Sequence, residues 1–183
     1  IYLTGINQKH TGVEAQIAYQ FSPSIRLDLG AGIGDWSYLD DASGTYRSDS
    51  SGTEKSYSYA LEGLKVGDMP QSNMIAGLTI SPIEGASIQL LYRHYMNHYA
   101  DWDPTSREYT PGDAFFDRKQ SWKSPDFGIL DIHAYYNLPI KLGPTKPKLF
   151  LHVFNALDEK YIQDAADNSE YNSYDQDHDA DDA

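Results

Sequence analysis

GVEAQIAYQFSPSIRLDLGAGI, residues 12–33, reads as two alternating runs folded about a tight turn. The odd positions of the first run are Val13, Ala15, Ile17, Tyr19 and Phe21; the even ones are Glu14, Gln16, Ala18 and Gln20. After Ser22-Pro23 the order resumes, with Ile25, Leu27, Leu29, Ala31 and Ile33 alternating with Arg26, Asp28, Gly30 and Gly32. Successive side chains of a strand leave on opposite faces, so each run carries one apolar and one polar face. Each run is about nine residues, near the ~9–11 that a tilted strand needs to cross a bilayer.

The same unit recurs twice downstream. Met74, Ala76, Leu78 and Ile80 alternate with Ile75, Gly77 and Thr79, and a short turn at 81–85 leads into Ala86, Ile88, Leu90 and Tyr92. Ser87, Gln89 and Arg93 fill the other face of that strand, with Leu91 as a mild break. A third hairpin sets Gly128, Leu130, Ile132, Ala134 and Tyr136 on one face and Phe127, Ile129, Asp131, His133, Tyr135 and Asn137 on the other. After the proline-rich turn 139–147, Leu149, Leu151 and Val153 oppose Phe150, His152 and Phe154. Short connections therefore alternate with long polar ones at 40–56 and 100–120, as in outer-membrane barrels with short periplasmic turns and long extracellular loops. The pattern predicts an all-β, antiparallel transmembrane β-barrel segment of about six strands over residues 1–157. An acidic extracellular loop over 158–183 is expected to precede an absent last strand. Six strands are too few to close a barrel that bacterial chains build from at least eight, so the chain reads as a fragment.

Composition narrows the function classes. A net charge of −13 argues against nucleic acid, which demands clustered Lys and Arg. The absence of cysteine excludes disulfides, thiolate metal sites and a cysteine nucleophile. No apolar run is long enough for a membrane-spanning helix. The mean hydropathy of −0.59 does not weigh against strands that alternate between lipid and lumen. Trp36, Tyr38, Tyr92, Tyr95, Tyr99, Trp102 and Trp122 fall where strands run into long loops. They suggest an interfacial aromatic girdle, or cross-strand pairs in a soluble barrel or sandwich.

Several stretches together resemble one family. LFLHVFNALDEKYIQDAADN (Leu149–Asn168), GVEAQIAYQFSP, LEGLKVGDMPQ followed by AGLTISP, and YRHYMNHYADWDP stand in the order seen in the C-terminal barrel of TonB-dependent outer-membrane receptors. The resemblance implies a parent protein of a Gram-negative outer membrane, surrounded by lipid and coupled to TonB through a plug domain that this chain lacks. It also implies active uptake of a scarce extracellular ligand such as an iron chelate, cobalamin or a glycan.

Candidate ligand-facing residues lie in the long loops: Tyr46, Trp102, Tyr109, Phe115, Phe116, Tyr171 and Tyr174, whose rings offer large contact area. Asp175, Asp177 and Asp179 are spaced like the start of a calcium loop, although Ala180 stands where such a loop requires glycine. No other cofactor is expected. His94 and His98 would stand ~13 Å apart on a strand, too far to share an ion. His133, beside Asp131 and Asn137, reads as polar lumen lining, and Arg26 with Asp28 must likewise face inward. With no Gly-x-Ser-x-Gly, His-Glu-x-x-His or phosphate-binding glycine loop, an enzyme is not expected. The rival readings are a soluble β-barrel or sandwich binding a small ligand, and another outer-membrane barrel such as a porin or an enzyme.

Overall fold

The computed structural model describes residues 6–47, 51–112, 118–141 and 143–167. The first alternating pair forms β1 (Gln8–Ser22) and β2 (Ile25–Tyr38), joined at Pro23-Ser24. In the connection that follows, β3 (Ala42–Arg47) and β4 (Glu54–Tyr59) make a hairpin of their own. Then come β5 (Ser72–Ile80), β6 (Ala86–Met96), the short β7 (Asp101–Trp102), a one-turn helix α1 (Pro104–Arg107), β8 (Phe127–Asn137) and β9 (Lys148–Val153). A last short strand, β10 (Ala166–Asp167), pairs in parallel with β7.

The chain is all-β, and its main sheet is antiparallel. Six strands lie in the order β1-β2-β5-β6-β8-β9, each beside its predecessor in the sheet, as the three alternating pairs predicted. Register gives the sheet two distinct faces. One row of direct partners runs Tyr19, Leu27, Leu78, Leu90, Ile132 and Val153 through all six strands. The row beside it, on the opposite face, runs Gln20, Arg26, Thr79, Gln89, His133 and His152. A slip of one residue anywhere would drive an apolar row through the polar face.

Three apolar residues that break the polar face sit opposite glycines or beside them. Ile75 is the direct partner of Gly30, and a Cβ on Gly30 would come within 2.7 Å of the Ile75 side chain. Leu91 lies likewise over Gly77, and the Trp36 indole over Gly34. At these three positions a neighbour's missing side chain leaves the room; Phe127, Ile129 and Phe150, also on the polar face, stand opposite Tyr95, Arg93 and Tyr135 instead.

Much of the apolar face of the sheet is uncovered. Val13, Ile17, Ile33 and Leu151 are all more than 60% exposed, and every described residue from Gln8 to Phe21 is exposed. The packed core lies at one end, in the long connections: Tyr38, Ala42, Tyr59, Leu61 and Leu64, with Ile6, Tyr57, Val66 and Trp102 against them.

Three details depart from expectation. The polar stretch 40–56 holds most of the β3–β4 hairpin, whose register is fixed by packing of Tyr57 and Tyr59 at its base and not by alternation. The last strand of the sheet ends at Val153, where Phe154 and Asn155 turn away. The aromatics expected as a girdle divide between faces. By register Tyr92 lies on the apolar face, while Trp36, Tyr38 and Tyr95 lie on the polar one. Besides Tyr92, the apolar face carries rings at the short-turn end, where Tyr19 meets Phe21 edge-on at 4.7 Å and Tyr136 stands opposite Leu149.

Candidate functional site

The long connections close into a cap over one end of the sheet, and Asp41 is its hub. Asp41 lies just past the end of β2, so its carboxylate points among the returning loops. Oδ1 accepts the backbone N–H groups of Leu61 and Glu62, both at 2.9 Å, and Nη1 of Arg118 at 3.0 Å. Oδ2 accepts Nη2 of Arg118 at 2.5 Å and the Tyr109 hydroxyl at 3.1 Å. Burial alone would push this carboxyl up. The bonds from Arg118, the Glu62 amide and Tyr109, with the guanidinium charge, outweigh burial and hold it at about 2. One side chain thereby fastens two long loops to each other.

The segment Val66–Gln71 stitches the cap to the sheet. The Val66 amide donates to the Trp36 carbonyl at 3.0 Å and the Asp68 amide to the Tyr99 carbonyl at 3.1 Å. Gln71 is 4% exposed; its Nε2 donates to the carbonyls of Trp36 and Val66, and its Oε1 accepts the Trp36 amide. Between them Gly67 presses on the backbone of the facing loop, where a Cβ would lie 2.5 Å from the Ala100 carbonyl oxygen. Ala100 in turn donates its amide to Trp122, and Asp101 to Ala165. The Val-x-Asp-x-Pro and Tyr-Ala-Asp stretches are therefore the seam at which the loops meet.

Asn155-x-x-Asp158 is a self-closed turn. Asn155 takes a left-handed φ of 49°, its Oδ1 accepts the Glu159 amide at 3.0 Å, and its Nδ2 donates to the Glu159 carbonyl at 3.0 Å. The Asn155 amide donates to Oδ1 of Asp131 at 2.8 Å, and Oδ2 of the same buried carboxylate pairs with Arg93. Downstream, Tyr161 stacks on Phe127 with centroids 4.5 Å apart. The start of the acidic stretch 158–183 is thus tied to the sheet.

Of the loop aromatics expected to meet a ligand, Trp102 donates Nε1 to the Tyr38 hydroxyl at 3.1 Å and packs edge-on against that ring. The Tyr109 hydroxyl is held by Asp41. Both rings serve loop packing and keep only part of their surface in solvent. Tyr46 lies in β3. Phe115, Phe116, Tyr171, Tyr174, Asp175, Asp177 and Asp179 lie outside the described residues. Among the described residues no group of three or more His, Asp or Glu side chains is placed to hold a metal ion.

On the polar face Arg26 and Asp28 form an ion pair at 2.6 Å. His133 meets His152 across the β8–β9 pair, a partnership that the sequence left unseen because it depends on the register set by the 138–147 turn. The arrangement can hold a polar or charged surface over one face of the sheet, beneath a folded cap. Comparison with known protein families, curated proteins and solved structures gives no match for the chain.

Proposed function

We propose that this chain is part of an outer-membrane β-barrel that takes up a scarce ligand, in the manner of a TonB-dependent receptor. One observation carries the reading: a wide antiparallel sheet with an unbroken apolar row and an unbroken polar row, its apolar face largely uncovered, and its main packed cluster gathered among the long connections at one end. In water such an apolar face is an aggregation surface, whereas in a bilayer it is the face that lipid solvates. On the apolar face six rows, from Ala86-Tyr136-Leu149 up to Val13-Ile33-Ser72-Met96, follow one another every second residue. At ~3.3 Å per residue and a tilt of ~45° they make a band ~24 Å tall, the height of the apolar belt of outer-membrane barrels. Aromatic rings at the short-turn end suit the interface there. On this reading the polar face lines a lumen, and the cap is the extracellular surface where ligand is met. The ordered set of motifs that resembles TonB-dependent receptors supports active uptake over a passive pore.

The chain has no cysteine, which makes a direct test simple. Single cysteines at Ile17, Leu29, Leu78 and Ile132 on one face, and at Gln16, Thr79 and Gln89 on the other, would carry a fluorophore in outer-membrane vesicles. Nitroxide lipids are expected to quench the first set, and a water-soluble quencher the second. Equal access of the water-soluble quencher to both sets would overturn the membrane reading and favour a soluble binding protein.

A further inference from the structure

The β8–β9 pair brings two imidazoles nose to nose. His133 and His152 are direct cross-strand partners, half-buried, with their Nδ1 atoms 2.7 Å apart and their ring planes at 64°. At that distance one Nδ1 carries a proton and the other accepts it, so at least one ring offers its lone pair to the gap. We propose that this pair is a binding site for a divalent transition ion of the kind that favours imidazole: zinc, nickel or copper.

The chemistry is a change of tautomer. When the donor ring moves its proton from Nδ1 to Nε2, no net proton is lost and both Nδ1 lone pairs face the same point. Metal–imidazole bonds of ~2.0–2.1 Å at a near-tetrahedral angle require nitrogens about 3.3 Å apart, so the rings must part by roughly half an ångström. Rotation of the side chains supplies that, because their strands are locked in register on both sides of the gap. Tyr135, Phe150 and Phe154 stand around His152 with centroids 5.4, 5.5 and 6.1 Å away, and both phenylalanines are 70% exposed, so the site is open to solvent. No carboxylate competes for the ion within the cluster. The nearest on the same strand face, Asp131, is already engaged by Arg93 and the Asn155 amide. Gln89 flanks His133 on the other side. Two protein donors leave the remaining coordination positions open to water or to a small chelating molecule, so the site suits an ion in passage or an ion carried by a chelate more than a structural metal. The site rests on strand register alone, and a chain that failed to insert in lipid would still bind the ion.

The test is a titration of the full chain with Zn2+ and Ni2+, read by competition with a chromophoric chelator, and with Cu2+, read by electron paramagnetic resonance. One equivalent should bind with hyperfine structure from two nitrogens. His133→Ala and His152→Ala should each weaken binding by about tenfold or more, since each removes one of two donors. His94→Ala, on the opposite face, should leave it unchanged. The chain has six histidines and a run of aspartates near its end, so the double variant measures what those bind. Binding unchanged in the double variant, or copper signals from oxygen donors in the unaltered chain, would overturn the assignment. Where an alanine variant misfolds, His133→Gln and His152→Gln keep most of the side chain and give the same comparison: loss of the two-nitrogen copper signal supports the pair, and its persistence overturns it.

Discussion

Asp41 shows how one residue can organise loops that are remote from each other in sequence. It gathers five hydrogen bonds from Leu61, Glu62, Tyr109 and Arg118. Its carboxyl is held at about 2, below its ordinary 3.8, so the folded cap favours the charged form. The resulting stability is fully present above pH ~4 and is lost as pH falls toward about 2, with a total of about 2 kcal/mol. Hydrogen exchange at the Leu61 and Glu62 amides, followed from pH 5 to 2, should show the cap loosening across that window. In Asp41→Asn the protection of the same amides, taken relative to their intrinsic exchange at each pH, should be lower at pH 6 and vary little with acid; a protection profile like that of the native chain would remove Asp41 as the hub. Gly67 makes a separate claim. A methyl there meets the Ala100 and Asp101 backbone, which cannot rotate out of the way as a side chain could. Gly67→Ala should cost about 1–3 kcal/mol of cap stability, seen as a lower denaturant midpoint for a probe at Trp102.

At the scale of elements, the strands of the main sheet were legible because alternation is a local signal that a buried or lipid-facing row imposes on every strand. The β3–β4 hairpin was not. Ser43, Gly44 and Thr45 face Ser58, Tyr57 and Ser56 across it, which offers no alternation to read, and its position depends on Leu61 and Trp102 from elsewhere. For the same reason Asp41 gave no sign in the sequence, its arginine partner lying 77 residues away. The Asn155 turn is intermediate: its motif was visible, its use was not. Because Asn155 fixes both the left-handed backbone and the two bonds to Glu159, the two contributions can be separated. Asn155→Gly keeps the conformation and loses the amide bonds; Asn155→Ala loses both, at roughly 1–2 kcal/mol more for a strained φ. Exchange at the Glu159 amide should rise in the order native, glycine, alanine. Equal rates in all three would mean that the segment is held by the Tyr161–Phe127 stack instead.

For the whole molecule, the two faces make opposite demands on charge, and this is where the membrane reading is most exposed to test. Leu78 and Thr79 are neighbours in β5, share the same backbone environment, and differ only in the face they occupy. In water, arginine at either position would sit on an open face of the sheet and cost little. In a bilayer, Leu78→Arg places a guanidinium near the midplane at a cost of ~2–4 kcal/mol, while Thr79→Arg joins Arg26 and Gln89 on the polar row and should cost less than ~1 kcal/mol. Reversible denaturant unfolding from lipid vesicles measures both on one scale. A gap of about 2 kcal/mol or more between the two variants is the expected result. Near-equal values would mean that no hydrocarbon covers the apolar face. That face would then stand open to water in the folded chain, and the membrane reading would fall.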